Sequence, residues 1–250
     1  MTTQRKIAVW LGWLLIATIV LGILNTVPAL EHPGYLAKLP TIETQVLSAV
    51  FFQAAMATTY VFIAVLFYLL IKKHSEVLAI GYLGFRLIGA AFLFVGIGSL
   101  LLLLSLGKSY TTGGQPLPSF YQTLGELLRS GRDIMNHIAV ILPWVSGGLI
   151  LCVGLYRFKL VPAWLSIWGF VGFALSIAAT LLLMLDLIKM FAPPYLLMNV
   201  PAALFDLALA VRLMVRGLDP GAEAPGDRAS SSRRSGYTPI PPSALETGGD

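Results

Sequence analysis

Charge is what this sequence has least of. Only 12% of its 250 residues are Asp, Glu, Lys or Arg, about half the share of a soluble domain. A chain so poor in charge cannot coat a globule with water-facing side chains, so an ordinary soluble enzyme is excluded. Cysteine is nearly absent: Cys152 stands alone in an apolar run, which rules out a disulfide framework, a cysteine zinc site and a dithiol redox pair. The three histidines, His32, His74 and His137, are scattered over different segments, too few and too dispersed for a bis-histidine haem or a zinc site. HExxH, GxSxG and glycine-rich phosphate loops are missing as well. No catalytic constellation, cofactor or metal site is therefore expected. The net charge of +5 has no basic helix face behind it, because the cations sit in short loops and near the C-terminus. That distribution excludes nucleic acid as the partner and suits cations flanking membrane spans.

What is abundant is apolar length: 57% of the residues are hydrophobic. About 20 apolar residues cross a bilayer as a helix. Six runs qualify, at about 7–27, 45–71, 78–106, 134–156, 161–188 and 195–216. The fold class predicted is all-α, a polytopic membrane bundle of six transmembrane helices occupying residues 1–217, with the lipid bilayer as its first partner. The first run follows Arg5 and Lys6 as a signal peptide would, but it is too long and Val27-Pro28-Ala29 is a poor cleavage site, so it reads as a retained span. The stretch Ile80–Leu106 is the natural hub, since its small residues (Gly81, Gly84, Gly89, Ala90, Ala91, Gly96, Gly98) permit close helix approach. Such Gly/Ala faces also suit homo- or hetero-oligomers. Between spans three and four, Phe120–Ser130 spaces its apolar residues as a short amphipathic helix lying in the interface. Residues 218–250 are rich in Gly, Pro, Ala and Ser and read as a disordered cytoplasmic tail.

Orientation follows from loop charge. With six spans the termini share one side, which carries Arg5, Lys6, Lys72, Lys73, Arg157, Lys159, Arg212 and Arg216. The other side carries Lys38, Lys108, Arg129, Arg132 and Lys189. The positive-inside rule then puts both termini in the cytoplasm and the protein in the cell (inner) membrane.

Polar residues within the spans are the candidate functional groups, because each is costly in hydrocarbon. Arg86 lies ten residues inward of Glu76, and Asp206 ten residues inward of Arg216. At 1.5 Å per residue both sit roughly 15 Å from the same edge. Opposite charges at one depth are natural partners as a buried ion pair; alternatively, Arg86 snorkels alone to the headgroups. A second group, Asn25, Gln53, Asn136, His137, Asp186 and Asn199, gathers toward the outer leaflet from five spans. It suits a small pocket or proton path, with His137 and Asp186 as a titratable pair, or else amides bridging helix ends at interfacial water. Gly147-Gly148 reads as a close helix contact, and Pro143 as a kink in span four.

Three stretches together resemble a known family. They are Gly81-Tyr82-Leu83-Gly84-Phe85-Arg86 on span three, the leader Arg157-Phe158-Lys159-Leu160-Val161-Pro162-Ala163-Trp164 into span five, and Pro201-Ala202-Ala203-Leu204-Phe205-Asp206 before Arg216-Gly217 on span six. The set is similar to bacterial six-helix membrane proteins named only as domain of unknown function 4386, over roughly Ile7 to Leu218. Members often carry a glutamate shortly after the span-three arginine, where this chain has Gly89. The departure leaves Asp206 as the better partner for Arg86. The resemblance implies the six-helix fold and brings no activity. A small-molecule or ion transporter component is the leading specific reading of the residues, and a membrane-embedded scaffold, sensor or partner subunit is the alternative.

Overall fold

The computed structural model describes residues 3–219 except 33, 113–117 and 191. Of the proposed tail, 218–250, the part from residue 220 onward lies outside the described residues. Apolar runs in hydrocarbon must satisfy every backbone group internally, and so they are helical. The elements are α1 (Thr3–Leu24), α2 (Tyr35–Lys38), α3 (Glu43–Ile71), α4 (Glu76–Thr112), α5 (Pro118–Ile134), α6 (Ile141–Arg157), α7 (Ala163–Met184) and α8 (Pro193–Val215). A π turn over Met135–Ala139 joins α5 to α6 as one long helix. Counting that helix once, six helices among the described residues are long and apolar enough to cross a membrane.

The six stand in a closed ring. Each packs on its sequence neighbours in the order α1, α3, α4, α6, α7, α8, and α8 closes back on α1. Span three, expected as the hub, touches the most elements but stands in the wall of the ring. Close approach is set by glycine where α7 meets α8. A Cβ on Gly172 would lie 2.8 Å from the backbone nitrogen of Ala202, so nothing larger than hydrogen fits there. Gly147 packs α6 on the Tyr82–Arg86 turn of α4 at a distance where a Cβ would make ordinary contact. The main core, built around Phe67, Tyr82, Leu151, Phe173 and Phe205, fills the half of the ring nearer the chain termini. Large apolar side chains such as Phe51, Phe62, Ile88, Phe94 and Leu204 point outward, as lipid-facing residues do.

Two helices overshoot the bilayer. The 37 residues of α4 span about 55 Å, against roughly 30 Å of hydrocarbon. The surplus of α4 and all of α5 project at the end away from the termini, here called the distal end. There the segment 27–42 folds between them, and Leu30, Tyr35, Leu36 and Leu39 bury against Leu100, Leu103 and Leu104. Lys108 and Glu43 tie α4 to α3 at 2.5 Å. The amphipathic helix read at Phe120–Ser130 is therefore longer than expected. It continues into span four and lays its apolar side on α4 and the 27–42 segment, which is a protein surface.

Helix ends explain several polar residues. Leu187 N–H donates to the Leu182 carbonyl and Asp186 N–H to that of Leu183, with Asp186 in the left-handed region (φ 56°). This is a Schellman end, and aspartate is one of the few non-glycine residues that take such a φ. At the other end of the ring Arg5 caps α8, donating to the carbonyls of Leu213 (3.0 Å), Met214 (2.6 Å) and Val215 (2.8 Å). Arg212 holds the chain beyond α8, through Asp219 at 2.5 Å and the Gly217 carbonyl at 2.9 Å.

Candidate functional site

Arg86 is 5% exposed and faces into the ring from α4. Two rings flank its guanidinium. Cζ lies 5.2 Å from the Tyr82 centroid, one turn back on the same helix, and 4.9 Å from the Trp144 centroid on α6. A desolvated cation over an aromatic face gains about 2 kcal/mol, so two rings offset part of the burial cost. Trp144 is held in turn by an edge-to-face contact with Phe173 on α7 (5.4 Å).

Asp206 shares this interior. It lies on the face of α8 that buries Ala202, Leu209 and Leu213, and it interacts electrostatically with Arg86, Tyr60, Tyr82 and Cys152. Yet no nitrogen of Arg86 comes within 4.0 Å of its carboxylate; the three ion pairs among the described residues lie elsewhere. The two charges expected as a pair thus face one polar space without touching. Asp206 and Tyr60 are both half-buried on inward faces of their helices. Tyr60 is centred on the buried stripe of α3, between Met56, Ala57, Ile63 and Ala64. Thr18 of α1 adjoins it, and this polar interior around Arg86 is called the chamber below. Three donors here are buried without an acceptor: Arg86 Nε, Tyr82 Oη and Trp144 Nε1. Buried donors are almost always paired, so three orphans around one cation mark a site rather than a finished core.

A second polar region lies nearer the distal end. Gln53, 1% exposed on α3, donates through Nε2 to the Leu93 carbonyl on α4 and to Asn136 Oδ1, both at 3.0 Å. Gly96 makes the arrangement sterically possible, since a Cβ there would collide with the Asn136 side-chain oxygen. Asn136 and His137 stand in the π turn, where Val140 N–H reaches back five residues to the Met135 carbonyl at 3.0 Å. Pro143 accounts for the position of that turn. It offers no N–H to the Ala139 carbonyl and its ring crowds that oxygen, so the helix widens just ahead of it. The kink expected at Pro143 thus takes the form of a π turn.

These groups line a cleft of about 580 Å³, with Asn25, Met56, Leu93, Glu31 and Arg132 among its walls. Asn25 contacts Met56 Sδ (3.9 Å), and Arg132 reaches Asp133 (3.3 Å). The His137 ring meets Tyr195 edge-on at 6.3 Å. Of the outer group, Asn25, Gln53, Asn136 and His137 are brought together. Asn199 stands aside, donating to the Tyr195 carbonyl at 2.8 Å, and does not line the cleft. Asp186 is exposed in the turn after α7 and is spent on the helix end. A neighbouring cavity of about 410 Å³ shares Glu31 and is bounded by Tyr35, Tyr110, Glu126 and Arg129.

Between cleft and chamber lies a small apolar cluster of Met56, Ala57, Leu93 and Val140, against which Tyr60 packs. The interior therefore descends in layers. Gln53, Gly96 and Asn136 come first, then Met56, Leu93 and Val140, then Tyr60, Arg86, Trp144 and Asp206. From sequence, Tyr60, Trp144 and Glu31 are not singled out, and Arg132 counts only as a loop cation. The seven-residue step from Gln53 to Tyr60 along α3 was available as a signal. Nothing in the sequence distinguishes Trp144 from an interfacial tryptophan.

Among the described residues no group of His, Cys, Asp and Glu is placed to hold a metal ion. Cys152 is a free, buried thiol in the main core. No curated protein and no solved structure matches the chain. Residues 10–217, the ring of helices without the first residues of α1, match the family described as Domain of unknown function (DUF4386), and the chain belongs to that family.

Proposed function

We propose that this multi-pass protein of the cell's inner membrane, with both termini in the cytoplasm, takes a small polar solute into its interior and forms all or part of a permease. The observation that carries the reading is the layered interior: an open cleft lined by amides, an apolar layer, and beneath it a chamber with an uncompleted set of donors. A structural bundle gains nothing by burying an arginine whose Nε has no acceptor. An apolar layer between two polar ones is a barrier that side-chain motion could open. The test uses the full chain in liposomes, with swelling rates for small polar solutes such as urea, glycerol and formate compared with empty vesicles. Faster swelling for at least one solute, abolished by Leu93→Trp in the apolar layer, is the expected result; rates equal to empty vesicles reject the reading. Orientation is tested with a membrane-impermeant thiol reagent on cells, using Ser75→Cys and Ser119→Cys in a Cys152→Ala background. Labelling from outside at residue 119 and not at 75 is expected, and the reverse inverts the assignment.

A second reading, a partner subunit without transport, has one observation in its favour. Gly84, Ala91 and Gly98 recur every seven residues on α4 with exposed surfaces, a face on which another helix could pack closely. Cross-linking through cysteines at these positions tests it, and monomers throughout would remove it.

A further inference from the structure

We infer that the chamber binds a small monovalent oxyanion, of the size of a short carboxylate, together with one proton carried on Asp206. This rests on reading the chamber as a solute site, but not on passage of the solute through the bundle.

The first ground is hydrogen-bonding chemistry. The unpaired groups are Arg86 Nε, Tyr82 Oη and Trp144 Nε1. Two of them can only donate, and Arg86 is 95% buried with both flanking rings within about 5 Å of its Cζ. A ligand completing this set must bring acceptors. A carboxylate has two oxygens with about four lone-pair sites, enough to accept from both a guanidinium and an indole N–H. An ammonium or another cation would meet donors only, and beside Arg86 it would be repelled.

The second ground is charge balance. With Asp206 ionised, Arg86 and Asp206 sum to zero. An added anion would leave one net negative charge in a low-dielectric interior with no counter-ion. The same anion enters without that excess if Asp206 takes a proton, because Arg86 then balances the ligand. The proton goes to a carboxylate oxygen of Asp206, the anion's charge is met by the guanidinium, and the chamber is neutral before and after. The groups facing Asp206 leave no other acceptor for that proton. Tyr60 comes from α3, Tyr82 and Arg86 from α4, and Cys152 from α6, while the interior side chains of α1 and α7 near this level, Thr18, Ser176 and Thr180, do not titrate. Phenols, thiol and guanidinium already hold their protons near neutral pH. Arg86 and Asp206 stand more than 4.0 Å apart, so no closed ion pair has to be broken before an anion reaches the guanidinium.

Isothermal titration of the full chain in detergent, with sodium formate as probe, tests the proposal. Repeating it in buffers of different ionisation enthalpy counts protons. One proton taken up per formate is expected, with affinity falling about tenfold per unit rise in pH while Asp206 is ionised. Asp206→Asn should bind formate with no proton uptake and no pH dependence, Arg86→Gln should not bind it, and Trp144→Phe should weaken it by about tenfold, the loss of one bond to a charged acceptor. Formate bound without proton uptake by the wild type, no formate binding, or binding unchanged in Trp144→Phe would each overturn the inference. The wild-type pH series and Trp144→Phe keep the test decisive if either charge variant fails to fold. Swelling is a separate measurement. Flux of urea or glycerol without formate binding sinks this inference and leaves the permease reading, whereas formate binding with proton uptake and no flux of any solute does the opposite.

Discussion

The chamber and the distal cleft handle the same problem, polar groups inside a membrane bundle, in opposite ways. In the cleft the amides satisfy one another: Gln53 donates to Asn136 and to the Leu93 carbonyl, and Gly96 is reduced to hydrogen so that they can meet. In the chamber Arg86 is wrapped in aromatic faces, its opposite charge stands off, and three donors are left without acceptors. The first is polar chemistry used to join helices. The second is polar chemistry held open, which costs stability unless something else occupies it. Polar residues in spans are thus not uniformly functional, and what separates the two kinds is whether neighbours complete their hydrogen bonds.

The largest effect that would break this contrast is at Asp206. Asp206→Ala leaves Arg86 uncompensated and should cost about 3 kcal/mol, the lower end for breaking a buried pair, because the carboxylate is beyond 4.0 Å. Replacing Arg86 by Met in the same chain should recover most of that loss. Unfolding of the two single variants and the double variant in detergent gives the coupling; additivity within about 0.5 kcal/mol would mean the two charges do not share a site. Next comes Gly96→Ala. The added methyl displaces Asn136 from Gln53, and overpacking of this kind costs about 1–3 kcal/mol. In an Asn136→Ala background most of that penalty should disappear, leaving the 3.0 Å approach to Gln53 Nε2; an undiminished penalty there would assign the cost to the helix contact alone.

Arg5→Ala removes three bonds to the last carbonyls of α8 and should lower stability by about 1 kcal/mol, with the loss reduced in high salt. No change in the unfolding midpoint would show that water replaces the guanidinium fully. The smallest effect concerns His74, which lies in the turn between α3 and α4 and stacks on Phe158 at 4.9 Å. Burial, and to a lesser extent the Lys73 charge, lower its pKa in the folded protein. A base with a depressed folded pKa binds its proton more readily when unfolded, so its neutral form favours folding. Stability is therefore full above the unfolded pKa, near 6.5, and declines as pH falls below it. His74→Phe should flatten that acid-side slope slightly; a slope unchanged by the variant would place the titration elsewhere.

Much of this molecule could be read without coordinates because the bilayer leaves few choices. Long uncharged runs must be helices, and six of them must form a bundle. Arg86 and Asp206 were legible as interior groups for the same reason, since a charge in an apolar run has nowhere inexpensive to go. Asp186 is hard to place from sequence because the approach to a helix end resembles span interior. The helix stops at Met184, and the aspartate serves the left-handed turn beyond it. The π turn was half legible, since Pro143 announced a disturbance but not its form.

Sequence by itself determined the six long apolar helices and the positions of Arg86 and Asp206 along them, because hydrophobic length and a rise of 1.5 Å per residue are local properties. Tertiary structure alone decided that the helices close into a ring. It also decided that Trp144 rather than a carboxylate lies against Arg86, and that Met56, Leu93 and Val140 separate two polar regions. Depth along a helix follows from counting residues, but the direction in which a side chain points across a bundle depends on the rotation of every helix about its axis. Those rotations are set by contacts between residues far apart in the chain, such as Gly172 against Ala202 and Gly147 against the Tyr82–Arg86 turn.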